Sequence, residues 1–199
     1  MSFLFESLES RRLLSNTAIT TLHTDEATVR VDNKAIDALD RTTVDEIGSE
    51  LISAGEFRAS IGDLKTVVKQ GTRDEVALTV RVDVGIAKVN LDTARLNAVA
   101  LQLTLHPDNT RLQTREANDE TKLTDDATTV QTDITNDSNT LDTDANTNLN
   151  ALVTLNSSDS ILSADVSAYE TSVGTDVTTM QTDANTAFTT DVAAVVATP

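Results

Sequence analysis

The strongest constraint on the fold is a repeated spacing of apolar residues between Leu123 and Pro199. This stretch contains no Lys, Arg or His, a single glycine, and no proline before its last position. Its apolar side chains recur at intervals of three and four residues, which places them along one face of a helix. Such a face needs a second helix to cover it, so the pattern predicts long amphipathic helices packed along seams. The helix-seam candidates are Val130, Ile134, Leu141, Leu149, Val166, Tyr169, Val173, Val177, Met180 and Phe188.

The surface around this apolar face is acidic and rich in threonine. The stretch carries 12 acidic residues and 18 Thr, and the whole chain has a formal net charge of −17. A field of this sign repels nucleic-acid phosphates and anionic lipid headgroups. No segment approaches the roughly 20 apolar residues that a helix needs to span a bilayer. We therefore expect a protein partner, with self-association through the helix seams, and neither nucleic acid nor a membrane span.

Three turn signals divide the chain. Gly71, followed by the capping-box spacing of Thr72 and Glu75, predicts the first break. Pro107 predicts the second, because the residue before a proline is disfavoured in a helix. The polar segment 156–159 predicts the third.

These breaks predict helices over 22–70, 73–105, 109–156 and 160–197. Short connections favour antiparallel neighbours, so the predicted fold is all-α, an elongated antiparallel helical bundle or set of coiled-coil hairpins. We expect three regions. They are an N-terminal motif and linker at 1–21, a first helical pair at 22–106, and an acidic Thr/Asp-rich helical pair at 107–199.

The segment 76–105 fits two structures. Alternate residues from Val76 to Ile86 are apolar, which is typical of a strand. A second set, from Val80 through Leu91 to Leu105, fits a helix over a longer window, and the length of the segment favours that helix. The alternative is a β-containing domain at 76–105 followed by a disordered Thr/Asp-rich tail.

No arrangement of residues predicts catalysis or a cofactor. The run Asp142-x-Asp144-x-Asn146 resembles the start of a calcium loop, but Thr147 stands where that loop needs glycine and Val153 where it needs glutamate. Cysteine is absent, and neither histidine has the spacing of a triad or a metal site. We expect a non-enzymatic protein without cofactor or metal. The alternative is a weakly calcium-dependent adhesion or binding module with a partly disordered acidic tail.

The first residues carry a distinct pattern. It reads Phe5-Glu6-x-Leu8-Glu9-x-Arg11-x-Leu13-Leu14. This pattern resembles the motif Leu-Glu-Pro-Arg-x-Leu-Leu that begins many large exported or surface proteins of planctomycetes and related bacteria. Ser7 and Ser10 stand here where that motif usually has proline. The resemblance covers residues 3–15 and implies a location in the cell envelope or outside the cell, and not an activity. Together with the apolar helix faces and the lack of catalytic motifs, it favours a structural or interaction protein. The sorting-motif candidates are Phe5, Glu6, Leu8, Glu9, Arg11, Leu13 and Leu14.

Overall fold

The chain folds into long helices, as the spacing predicts. A computed structural model describes residues 2–53, 55, 57–156 and 159–197, with side chains from residue 16 onward apart from 40, 53 and 57–59. No strand occurs in these ranges, so the all-α helical bundle is confirmed and the β-containing alternative for 76–105 is wrong. The elements are α1 (Ser2–Ser53), α2 (Phe57–Leu105), α3 (Thr110–Leu155), α4 (Ser160–Asn185), a π-helical segment (Thr186–Asp191) and α5 (Val192–Ala197).

The first break lies at Gly55, and the predicted break at Gly71 is wrong. Gly55 has a φ of 76°, a left-handed conformation that glycine adopts without strain. Gly71 lies inside α2. The Thr72 hydroxyl, which a capping box would turn towards a following N–H, donates instead to the carbonyl of Val68 at 2.8 Å. The helix therefore continues through the signal that was expected to end it.

Two further boundaries show where sequence patterns succeed and fail. The connections at 106–109 and 156–159 are confirmed. Each has a cap, since Asn109 Oδ1 accepts from Leu112 N at 3.2 Å and Asp159 Oδ1 accepts from Leu162 N at 3.1 Å. Helix α1 begins at Ser2 and runs without interruption past residue 22, through the region where a motif and a linker are predicted.

Threonine hydroxyls explain how poor helix formers sit in long helices. In α3, Thr128 Oγ1 donates to the carbonyl of Thr124 at 2.9 Å, and Thr132 Oγ1 donates to Thr128 at 2.8 Å. Exposed threonines on α1, α2 and α4 make the same bond one turn back. Each hydroxyl donates to the carbonyl four residues earlier in its own helix. Its hydrogen-bonding requirement is therefore met while the backbone stays helical.

By internal packing the chain divides into two compact units. Unit 1 comprises 1–29, 82–133 and 182–199, and unit 2 comprises 30–81 and 134–181. The predicted division into pairs at 22–106 and 107–199 does not match these units. Each unit takes segments from both predicted pairs.

Within unit 2 the neighbouring helices are antiparallel. Ser60, early in α2, bonds to Asn156 beyond the end of α3, whereas Arg81, later in α2, pairs with Asp137, which lies 18 residues before the end of α3. The order of contacts along α3 is therefore the reverse of that along α2. The same reversal joins α3 to α4, at Asn150 with Glu170 and at Ser138 with Gln181.

Within unit 1, α2 and α3 approach closely at Gly85. A Cβ atom added to Gly85 would lie 2.5 Å from Val130 Cγ1 and 3.1 Å from Val130 Cγ2. Both residues are buried, so the missing side chain of one makes room for the other. Glycine in a helix normally costs about 1 kcal/mol relative to alanine, and here close packing accounts for its presence.

We expect Gly85→Ala to destabilise the protein. Overpacking a tight interior costs about 1–3 kcal/mol, and the gain in helix propensity offsets up to about 1 kcal/mol of that loss. Gly62→Ala is the matched control, because no atom lies within 4 Å of the added Cβ, and it should stabilise by about 0.5–1 kcal/mol. Urea unfolding of both variants, of Val130→Ala and of Gly85→Ala/Val130→Ala measures the coupling between residues 85 and 130. Equal stability of Gly85→Ala and Gly62→Ala would contradict the close approach.

Candidate interaction surface

The predicted helix-seam residues lie in the interiors of the two units. All ten are buried, with at most 4% of the surface exposed, as at Val130 and Val177. Val130 and Phe188 belong to unit 1, and the other eight belong to unit 2. Because this burial arises within one chain, these side chains are not available to a second molecule. A surface for self-association must be sought elsewhere.

Helix α2 has apolar residues on two opposite faces. Within unit 1 its inner face is buried and consists of Val82, Ile86, Val89, Leu96 and Val99. We call the opposite set the outer stripe. It consists of Val84, Ala87, Leu91, Ala94, Ala98, Leu101 and Leu105, all of them exposed. The four large members are 52–71% exposed.

The outer stripe repeats with a period of seven residues. Val84, Leu91, Ala98 and Leu105 occupy one core position of the heptad, and the alanines at 87 and 94 with Leu101 occupy the other. This is the a and d pattern of a coiled-coil seam. A helix that is apolar on both faces is usually covered on both. The outer stripe thus has the form of a seam whose second helix is not supplied by the described residues of unit 1.

Exposed large apolar residues are concentrated on α2. Among the described residues eleven large apolar side chains are exposed, and seven of these lie on α2. The outer face of α3 in unit 1 instead carries residues such as Thr124, Asp125 and Thr128. Isolated exposed apolar residues are ordinary, but a row of them on one helix face marks an interaction site.

Ion pairs border the outer stripe in unit 1. Lys88 Nζ lies 2.9 Å from Asp126 Oδ1, and Arg95 Nη1 lies 2.9 Å from Asp92 Oδ1. Lys122 Nζ joins the group at 2.6 Å from Asp92 Oδ2. Burial by itself raises the pKa of Asp126, but hydrogen bonds from Lys122 and Lys88 outweigh it and hold that pKa well below its usual range. The Lys88 and Arg95 side chains remain about half exposed.

Carboxyl groups that face one another were not predicted from the sequence. In unit 2, burial, followed by the charges of Asp159 and Asp165, raises the pKa of Glu50 to about 7. In unit 1, burial and then Asp25 raise the pKa of Asp191 to about 6. The sequence signals such a buried carboxyl group only by an acidic residue next to a member of the apolar pattern, as Asp191 is next to Val192.

The π-helical segment places Asp191 in the interior of unit 1. A π-helical turn holds more residues than an α-helical one, so residues adjacent in sequence can both face inwards. Here Ala187 and Phe188 are buried together, as are Asp191 and Val192. The three-four spacing alone predicts only one buried residue in each of these two adjacent pairs.

The remaining sequence candidates fall into two groups. The side chains of the sorting-motif candidates lie outside the described residues. The calcium-loop resemblance falls inside α3, where Asp144 Oδ2 accepts from Gln70 Nε2 at 2.9 Å and Asn146 Nδ2 donates to Asp142. The loop geometry that calcium ligation requires is therefore not formed by this segment. No group of three or more metal-binding side chains occurs in the described ranges.

In the part of the chain that the structure describes, no helix has an apolar stretch long enough to cross a membrane. No protein-family model, no curated protein and no solved structure matches this chain.

Proposed function

We propose that this chain is a non-enzymatic structural or interaction protein of the cell envelope or extracellular space, which binds another protein chain through an amphipathic helix. The observation that carries the proposal is the outer stripe, a regular apolar face on a helix whose other face is already buried. The location is supported by the N-terminal resemblance. The acidic, hydroxyl-rich remainder of the surface suits a protein that stays soluble while one face binds.

The experiment combines chemical cross-linking with fractionation of the cells that produce the protein. We expect the chain in the envelope or medium fraction, in cross-linked complexes. Leu91→Asp/Leu101→Asp should abolish those complexes because it places two charges in the proposed seam. Thr124→Asp/Thr128→Asp is the matched control, since it adds the same charge on the exposed face of α3. Complexes that survive Leu91→Asp/Leu101→Asp would contradict the proposal.

The location is tested in the same cells with Glu9→Ala/Arg11→Ala. Alanine favours a helix, so the fold should be kept and the melting temperature should stay unchanged. We expect the variant to lose its envelope or extracellular location. If the location is unchanged, residues 3–15 are not an address.

A further inference from the structure

We propose that the outer stripe pairs with the outer stripe of a second copy of this chain, in parallel orientation and in register. The inference rests on the proposed function and deepens it by naming the partner. It begins with the heptad spacing, which in parallel dimers places each core residue against its own copy. Val84, Leu91 and Leu101 would each meet their equivalents across a two-fold axis along the helix.

The residues that flank the outer stripe are complementary to themselves in this arrangement. Asp83 occupies the heptad position g, and Lys88 occupies position e of the following heptad. In a parallel pair these two positions face each other across the interface. Asp83 of one chain then lies near the partner's Lys88, and the pair occurs twice by symmetry. Although Lys88 already contacts Asp126, an ammonium group has three donors and can hold a second carboxylate.

The antiparallel arrangement lacks this complementarity. It brings e positions against e positions, so in a pair centred on the outer stripe Arg95 of one chain would approach Arg95 of the other, and Lys88 would face Gln102 instead of a carboxylate. Like charges at these positions oppose association. The charges thus favour the parallel pair, and the small alanines at 87, 94 and 98 allow the two helices to approach closely.

The size of the outer stripe sets the expected strength. Twenty-two residues from Val84 to Leu105 extend about 33 Å along a helix. One helix pair of that length corresponds to the lower end of specific interfaces, at roughly 1,200 Å² in total. Each copy also carries a net charge of −17, which opposes association unless salt screens it. We therefore expect a reversible dimer in the micromolar range.

The first test is sedimentation velocity on the full chain at about 0.15 M salt, where surface charges are screened beyond about 8 Å. The wild-type protein should change from monomer to dimer between about 1 and 200 µM. Leu91→Asp should remain monomeric throughout, with unchanged circular dichroism because residue 91 is exposed. Thr128→Asp adds the same charge to α3 and should dimerise as the wild type does.

The second test reads the orientation through disulfides, because the chain contains no cysteine of its own. In a parallel dimer the two copies of residue 84 are neighbours, so Val84→Cys should form linked dimers on mild oxidation. In an antiparallel pair centred on the stripe the two copies would lie about 30 Å apart. Thr128→Cys, on α3, measures the background of random collisions.

A wild-type monomer at every concentration, or a dimer that persists in Leu91→Asp, overturns the self-pairing. Disulfide formation no faster in Val84→Cys than in Thr128→Cys overturns the parallel orientation. These failures are distinguishable from a failure of the proposed function. A chain that is monomeric when pure but is cross-linked in cells through the outer stripe would have a different protein as its partner.

Discussion

Replacing Leu149 with aspartate should strongly destabilise the fold. Leu149 is 2% exposed and belongs to the buried apolar residues of α3. The substitution removes a buried leucine, which contributes about 1.5–3 kcal/mol, and introduces a carboxylate that must lose its water without a partner. We expect a loss of about 4–5 kcal/mol, a large part of the 5–15 kcal/mol that stabilises an ordinary domain. Val177→Asp, on α4 in the same unit, should behave in the same way.

The control separates the position of the charge from the charge itself. Thr143→Asp adds one negative charge to the same helix at an exposed site, so it should change the unfolding free energy by less than about 0.5 kcal/mol. Urea unfolding followed by circular dichroism compares the three variants. A Leu149→Asp protein as stable as Thr143→Asp would show that the apolar face of α3 contributes little to the fold.

The helical class and the seam residues follow from local sequence, and the helix boundaries follow only in part. The three-four spacing is a property of neighbouring residues, so it identifies the buried faces of α3 and α4 directly. Gly71, which the capping-box spacing follows, is the stronger break signal in the sequence, yet Gly55 adopts the left-handed conformation and Gly71 lies inside α2. Buried Glu75 and Leu78 follow Gly71 within α2, so packing beyond that glycine keeps the helix continuous there.

The outer stripe shows a different limit of sequence reasoning. Val84, Leu91 and Leu105 fit a helix in the sequence, but so do Val82, Ile86 and Val89 on the opposite face. Apolar character does not say which face of α2 points inwards. The face that contains Gly85 points towards α3, because Val130 packs against the backbone of this glycine. That contact joins residues far apart in sequence and has no local signature.

The paired carboxyl groups escape prediction for the same reason. Glu50 lies more than 100 residues before Asp159 and Asp165 in the sequence. Asp191 is directed inwards by a π-helical turn. In a chain this acidic, every helix offers many carboxylates, so the sequence does not distinguish those that face each other. The consequence appears in the dependence of stability on pH.

We expect the protein to be more stable at about pH 5 than at pH 8. The folded-state pKa of Glu50 is raised from 4.5 to about 7, so the folded chain holds this proton more tightly than the unfolded chain. The stability that protonated Glu50 contributes to the folded chain is complete below about pH 4.5 and is lost as the pH rises through 7. Asp191, raised from 3.8 to about 6, acts in the same direction at slightly lower pH. Burial, and after it the charge of Asp144, also raise the pKa of Asp74.

Asp126 limits this gain at low pH. Its pKa is lowered in the folded chain, so its stabilisation is present above pH 3.8 and is lost as the pH falls further. The optimum should therefore lie at about pH 4–5. One pKa unit corresponds to about 1.4 kcal/mol, and solvent screening reduces this, so Glu50 and Asp191 together should contribute roughly 2–4 kcal/mol between pH 5 and pH 8.

Amides that mimic the protonated acids provide the decisive comparison. Glu50→Gln/Asp191→Asn should raise the unfolding free energy at pH 8 and flatten its dependence on pH, because neither amide can acquire the charge that the folded state disfavours. Asp45→Asn removes an exposed carboxylate of α1 and should leave the pH dependence unchanged. Urea unfolding of these proteins from pH 4 to pH 8 gives the slopes directly. If the wild-type protein is more stable at pH 8 than at pH 5, then the carboxyl groups that face one another do not hold protons in the folded state.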